Sequence, residues 1–400
     1  IPHVAVPELG KRLSALGARF YHNPSDQLVL AGVSGTSGKT STAHYIAQAW
    51  QRVGGDAGII GGVGHGPLKS LNTPGLLSPD AITLQGMLAE CIEQGVERVA
   101  MEVSSDDLDR GRVEDMAFDV AVFTSVSRNH LDYHGSLEAY EAARRRLFVD
   151  CHPRFAVIDH DDPAGKALAR QINNGTQVLT YGTNGSTELR GSVMGMDSSG
   201  MTLSIASPWG GGDIQTGLMG SCKLSNLLAA AGTLALMGMP WNQVMHQMEI
   251  MHPVPGRMHS LGGEPGQPVV VLDDAHTPHS LKQVLQDLRQ HLHGRLVCVF
   301  GCGDEQDSAR RASLAQAVES LADRVVMTTD SEAGDAPFAI FADMMKGLRE
   351  PAGALLIEDR AEAIRRAVAD AGPGDIVLVA GKGHEAWQEA MVRDVLEDAA

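Results

Sequence analysis

Residues 32–41 read GVSGTSGKTS: an apolar run beginning at Val29 breaks into a turn of small residues and ends on a lysine and two hydroxyls. The following STAHYIAQAWQRVGG carries Ala43, Ile46, Ala47, Trp50 and Val53 at helical spacing, so the local order is strand, glycine turn, helix. Glycines in such a turn let successive backbone amides converge on phosphate oxygens at the start of a helix. Lys39 adds a point charge there, and the Thr40 hydroxyl is of the kind that binds magnesium. The strict Walker spacing requires glycine five residues before Gly38, where Val33 stands. The match is therefore the shorter G-T-x-G-K-T form, running Gly35, Thr36, Ser37, Gly38, Lys39, Thr40, with Ser41 next. ATP or GTP binding is the expectation.

Outward from this loop, the runs LVLAGV, RVAMEV, DVAVFT and FAVID alternate with helical patterns as far as about residue 172. Strand and helix in alternation specify a mostly parallel sheet, and continuous apolarity marks strands covered on both faces. Between residues 188 and 219 the texture changes, with turn signals SSG and GGG between alternating runs, which reads as antiparallel hairpins. Two helices follow, SNLLAAAGTLALMG and WNQVMHQMEIM, and then HPVPGRMHS punctuates the chain with two prolines and a glycine. Beyond it PVVVLDDAHTP, RLVCVFGCG, DRVVMTTD, GALLIED and DIVLVAGKGHE each end an apolar run in polar or glycine-rich residues. The expected fold class is α/β: a phosphate-loop domain over 28–251 with a small antiparallel insertion, then a Rossmann-like domain over 252–400. Residues 1–27 read as an N-terminal remnant or linker.

The totals narrow the function. With 400 residues, 43% of them hydrophobic, the chain can bury two or three cores. Its net charge of -17, with no basic run, argues against nucleic acid as a partner. No apolar stretch reaches the roughly 18 residues that cross a bilayer, and IPHVAVPELGKRL lacks a signal-peptide pattern, so a cytoplasmic protein without membrane contact is expected. Five scattered cysteines without zinc-type spacing read as reduced, mostly buried thiols.

Taken in order, the loop at 35–40, LNTPG (71–75), MEVSS (101–105), SRNHLDYHG (127–135), PGRM (255–258), DDAHTP (273–278) and AGKGHE (380–385) resemble the motifs of the Mur ligases. Within that family the chain is most similar to the UDP-N-acetylmuramoyl-tripeptide synthetases, over nearly its whole length. The resemblance implies ATP-dependent amide formation in peptidoglycan synthesis, with magnesium: a peptide carboxylate attacks the γ-phosphate, and an amine displaces the resulting acyl phosphate. It further implies that Lys39 contacts the transferred phosphate, that Thr40 and Glu102 hold magnesium, and that His130 sits at a second metal. Asn72, Thr73, Pro74, Ser104, Ser105 and Arg112 would touch the acceptor, and Asn226 the nucleotide. Arg257, Asp273 and His276 would come from the C-terminal domain, closing over the site. The loop Gly381, Lys382, Gly383, His384 and Glu385 would meet the amino acid. The plainer alternatives are a solvated glutamate at a strand end for Glu102, and ordinary loop histidines for His130 and His134.

Several positions depart from the family pattern. In SLEAYEAARRRLF, Leu137, Tyr140, Arg144, Leu147 and Phe148 share a helical face, which turns Arg144 inward or along the boundary. The family keeps a lysine there, carbamylated to hold the second magnesium, and arginine cannot form that carbamate. Arg144 is therefore expected either to stand in for the metal's charge near the phosphates or to pair with Asp106 or Asp107. Asp274 stands for a tyrosine, Lys223 for an asparagine, and TTDSEAGD for the D-N-P-R motif, while GCGDEQDSARR departs from its glycine-rich counterpart. The resemblance also implies an N-terminal UDP-binding domain, of which residues 1–27 carry at most a remnant. Three readings follow: an active ligase on small-molecule substrates; a relative that binds nucleotide or a partner enzyme and ligates poorly or not at all; and an unrelated phosphate-loop ATPase or kinase, which would have to treat the ordered motifs as chance. Monomer and dimer are both compatible with each.

Overall fold

In a computed structural model of the chain, residues 8–72, 79–126, 131–173, 175–185, 187–302, 307–330, 337–383 and 385–398 are described. Their strands, in chain order, are β1 (Val29–Ser34), β2 (Ala57–Gly61), β3 (Gly64–Pro67), β4 (Arg98–Glu102), β5 (Val120–Phe123), β6 (Phe155–Asp159), β7 (Gln177–Gly182), β8 (Leu189–Asp197), β9 (Gly200–Ser207) and β10 (Gly210–Thr216). After these come β11 (His259–Gly262), β12 (Val269–Asp273), β13 (Leu296–Cys302), β14 (Arg324–Thr329), β15 (Leu355–Leu356) and β16 (Ile376–Ala380). The chain divides into two compact units, one holding residues 1–192, 203–214 and 222–251, the other 193–202, 215–221 and 252–400. Residues 8–27 thus group with the phosphate-loop unit, and the tip of the β8–β9 hairpin with the second.

The first sheet runs β10-β9-β8-β7-β6-β5-β1-β4-β2-β3. Leu30, Ala31 and Val33 of β1 are fully buried, because a strand flanked by β4 and β5 and covered on both faces has no wet side. The strands β4, β5 and β6 coincide with RVAMEV, DVAVFT and FAVID, and the parallel register sets Val33 beside Glu102 and Ser34 beside Phe123. The ends of β1, β4 and β5 therefore open on the same edge, where the phosphate loop emerges.

The hairpins expected between 188 and 219 form, but they extend this sheet instead of standing apart, since β8 continues from β7 in parallel. Two-residue links join β8 to β9 and β9 to β10, a spacing that only antiparallel neighbours accept. Three strands of this sheet, β2, β3 and β7, lie outside the runs read from the sequence, because their residues are glycine-rich or half-polar. Val53 also corrects the expectation: the helix ends at Arg52, so Val53 leaves the apolar face and is exposed.

The second sheet runs β11-β12-β16-β13-β14-β15, parallel apart from β11. Successive residues of β12 alternate between its two cores: Val269 and Val271 join Leu285, Phe300 and Leu378, while Val270 and Leu272 join Val299, Ile364 and Val379. A continuous apolar run is what such double coverage requires. Among the described residues, no helix is long and apolar enough to cross a membrane.

Candidate active site

The phosphate loop is shaped by two glycines that no other residue could replace without displacement. Gly38 has φ 85°, and a Cβ there would lie 2.3 Å from Oδ1 of Asn226; a Cβ on Gly35 would lie 1.9 Å from Oγ1 of Thr124. The end of β5 braces the loop. The Thr36 amide donates to the Ser125 carbonyl at 2.7 Å, and the Thr124 hydroxyl donates to the Ser37 carbonyl at 2.6 Å. The helix Lys39–Arg52 then starts from Gly38, which has no side chain to cap it, so its positive end faces the loop. Lys39 folds back, its Nζ donating to the carbonyls of Gly35 at 2.9 Å and Thr36 at 3.4 Å.

Thr40 and Glu102 meet at the mouth of this loop. The Thr40 hydroxyl donates to Oε2 of Glu102 at 3.0 Å, and the Gly62 amide donates to Oε1 at 2.9 Å. Glu102 reaches both because β4 lies between β1 and β2, and because Gly61 leaves room: a Cβ there would sit 2.3 Å from Oε1. Glu102 is thus a half-buried, oriented carboxylate and not a solvated one. The sequence reading missed Gly61 and Gly62, although GIIGG at the end of an apolar run was a visible sign of close approach.

Arg144 lies behind the loop, 2% exposed on the helix Leu137–Val149. It pairs with neither Asp106 nor Asp107, correcting one of the two expectations for it. Its Nη1 donates to the Ser34 hydroxyl at 2.9 Å, its Nη2 to the Tyr140 hydroxyl, and its guanidinium lies 4.5 Å above the Tyr140 ring. The two aspartates are occupied by Arg110 and Arg112 instead. On the same side of the unit, the Ser104 hydroxyl and the Asp107 carboxylate cap the short helix Ser105–Asp109 reciprocally. Arg112 spans Asp106 and Asp107 at 3.1 and 2.9 Å, and His134 Nε2 lies 2.9 Å from the Ser105 hydroxyl. Asn72 is exposed beside His65 and Glu90. Thr73, Pro74, His130 and His384 lie outside the described residues.

The second unit draws three motifs together. Asp273 is buried at the end of β12, and its two carboxylate oxygens accept the amides of Met258 at 2.8 Å and Ala275 at 2.9 Å. This fixes the PGRM turn against the strand. A Cβ on Gly383 would lie 2.7 Å from the Asp273 carbonyl carbon and 2.8 Å from Gly256, so the loop after β16 passes where only glycine fits. Arg257 pairs with Asp274 at 2.9 Å, His276 is exposed with Nδ1 2.7 Å from the Asp274 carbonyl, and Lys382 lies 3.5 Å from Glu385. The Arg360 guanidinium, which the sequence reading passed over, is buried below this loop and donates to Asp330 at 2.8 Å, to Gln388 at 3.0 Å and to the Ala380 carbonyl at 2.8 Å.

The chain matches the Mur ligase middle domain over residues 33–234 and the Mur ligase glutamate ligase domain over residues 256–383. It belongs to the Mur ligase family. The UDP-N-acetylmuramoyl-L-alanyl-D-glutamate--2,6-diaminopimelate ligase of Coxiella burnetii is 39% identical over 97% of this chain and 80% of its own length. The Pseudomonas aeruginosa ligase of the same name is 42% identical over the same shares. A solved structure of a ligase of that name is 31% identical, with a TM-score of 0.77, over 99% of this chain and 84% of the other. This Mur ligase is accordingly an ATP-dependent, amide-forming enzyme of the peptidoglycan-precursor type. Relatives that are themselves named ligases do not favour the non-ligating reading.

Among the described residues of this Mur ligase there is no group of three or more histidine, cysteine, aspartate or glutamate side chains that could hold a metal by themselves. Cys91, Cys151, Cys298 and Cys302 are at least partly buried and their thiols are pushed up, chiefly by burial, to about 11 for Cys91 and about 12 for Cys151 and Cys302. Only Cys222 is exposed.

Proposed function

We propose that this Mur ligase joins an amino acid to the free carboxylate of UDP-N-acetylmuramoyl-L-alanyl-D-glutamate, the acceptor in the names of its relatives. The observation that carries the reading is the Thr40–Glu102 pair at the mouth of a braced phosphate loop. A carboxylate oxygen of the acceptor attacks the γ-phosphorus of ATP, the bond to ADP breaks, and an acyl phosphate forms. The amino acid's nitrogen then attacks the acyl carbon, phosphate departs, and the nitrogen loses a proton. Charge spreads over the phosphoryl oxygens in the first step, where the Lys39 ammonium and the start of its helix oppose it.

A hard divalent cation takes oxygen ligands, and the Thr40 hydroxyl and Glu102 carboxylate are a donor set of that kind. These two residues would hold magnesium, which supplies neutralisation of the phosphoryl oxygens when bound. A second magnesium on a carbamylated side chain does not fit, since position 144 carries a buried arginine, and the proposed reaction does not use it.

Asn226, against Gly38, is proposed to border the nucleotide; Arg257 and Asp273 are proposed as nucleotide-binding residues and His276 as a catalytic one, each on the family resemblance. Ser104, Ser105 and Arg112 with Asn72 are proposed to meet the acceptor, and Gly381, Lys382, Gly383 and Glu385 the amino acid. The segment after Asp330 reads SEAGDA and holds no arginine, so the amino acid is best read from the product. The test is to incubate the protein with magnesium-ATP, the UDP-muramoyl dipeptide and pooled amino acids including 2,6-diaminopimelate, following ADP and product mass. A mass gain of one amino-acid residue, lost in Lys39→Ala, is expected. ADP release without a new mass, or no turnover, overturns the proposal.

A further inference from the structure

Among the described residues, Arg144 is a buried cation with no carboxylate partner. Its neighbours Arg110, Arg112 and Arg146 each pair with acidic side chains. Among the described residues Arg144 has only neutral partners, the hydroxyls of Ser34 and Tyr140 and the Tyr140 ring, and its buried Nε has none. Guanidinium keeps its proton even where burial opposes the charge. An uncompensated buried charge costs several kcal/mol by order of magnitude, a cost that an arriving anion would offset.

The contacts of Arg144 lead to the phosphate loop. Ser34 and Thr36 flank Gly35, the first glycine of the phosphate loop. Tyr140, which accepts from Arg144, has its hydroxyl 2.9 Å from Oγ1 of Thr36. One guanidinium thus touches the strand end entering the loop directly and the second loop residue through one phenol. It holds the loop from behind, through Ser34 and through Tyr140 to Thr36.

We propose that Arg144 is a positioning residue for the phosphate loop and the fixed counter-charge of the bound polyphosphate, acting through Ser34 and through Tyr140 to Thr36. This inference rests on the nucleotide site proposed above and goes beyond it. A permanent cation held by hydroxyls occupies the place where an anionic metal ligand would stand, so this ligase stabilises phosphate there by protein charge. Arg144 touches no reacting atom.

The test compares binding of ADP and of AMP, by calorimetry and thermal unfolding, in the wild type and in Arg144→Met, Arg144→Lys and Tyr140→Phe, with the exposed Arg145→Met as a surface-charge control. Arg144→Met is expected to bind ADP at least about tenfold more weakly, the scale of one charge-assisted interaction, while AMP binding changes far less. Its nucleotide-free form is expected to unfold at the same or a higher temperature, because no unpaired charge remains buried. Arg144→Lys should recover part of the ADP affinity, Tyr140→Phe should lose part of it, and Arg145→Met should match the wild type. An unchanged ratio of ADP to AMP affinity in Arg144→Met overturns the inference. Should Arg144→Met fail to fold, an unchanged ratio in Tyr140→Phe and Arg144→Lys does the same. If the wild type binds no ADP, the nucleotide reading falls and this inference with it; if the wild type binds and the variants bind alike, only the inference falls.

Discussion

The hydroxyl of Thr40 donates to the carboxylate of Glu102 across 3.0 Å, tying the first turn of the phosphate-loop helix to a strand end 62 residues further along the chain. Glu102→Gln keeps the shape and one of the two accepted hydrogen bonds but removes the charge. ADP release in the ligation assay should fall by about 100-fold or more, the scale seen when an electrostatic element of a site is lost. Denaturant unfolding should move by no more than about 1 kcal/mol, since the pair is half exposed. Equal activity of the two proteins would remove Glu102 from the site.

Gly38→Ala tests the loop's backbone. An alanine at φ 85° costs about 1–2 kcal/mol on its own. The added Cβ also meets Asn226 at 2.3 Å. The variant should lose ADP binding and unfold earlier. The double variant with Asn226→Ala should recover the part of the stability lost to the clash and none of the part lost to backbone strain. Strict additivity in denaturant unfolding would show that the contact with Asn226 carries no cost.

Asp159 predicts a pH dependence. It is buried at the end of β6, where burial pushes its carboxyl up to about 6 against the ordinary 3.8, opposed by the Asp161 amide and the Ser225 hydroxyl. Its folded value is raised, so the folded state holds the proton more tightly. The stability this gives is full below about pH 4 and is lost as pH rises through 6. Asp159→Asn should therefore gain on the wild type between pH 4 and 8, by at most about 3 kcal/mol. Urea midpoints at pH 4, 6 and 8 check it, and a constant difference across that range would contradict the shift.

Asp330 predicts a local effect in the second unit. Its carboxylate is the charge partner of Arg360, which is 7% exposed. Asp330→Ala leaves that guanidinium buried and unpaired and should cost about 3–5 kcal/mol. The loss should appear as faster amide exchange in β14 and β16, with β1 and β4 of the other unit unchanged. A uniform change across both units, or none, would argue against a local clamp.

Much of the architecture was legible because it rests on neighbours within a few residues. The loop Gly35–Thr40, the strand cores of β1, β4, β5 and β6, and the helix bearing Tyr140 and Arg144 all follow from local pattern. The short β2 was not legible, since Ala57–Gly61 offers too little apolar length and too much glycine to be told from a loop. Yet Gly61 and Gly62 turn Glu102 toward Thr40. The capping box of Ser104 and Asp107 was equally local, but its aspartates also hold Arg112, and nothing near in sequence chooses Arg112 over Arg144 as their partner.

By itself, then, the sequence determined that this protein has a phosphate loop on a parallel sheet, a second α/β unit and the ordered motifs of a Mur ligase. These depend on residue spacing, which the chain carries directly. Tertiary structure decided which charges meet. Strand order put β4 beside β1 and so Glu102 beside Thr40, and the packing of one helix behind β1 gave Arg144 to Ser34 and Tyr140 and not to an aspartate. A charged side chain takes whichever partner the folded backbone brings within about 3 Å, and that distance is set by sheet register and helix packing across a hundred residues of chain.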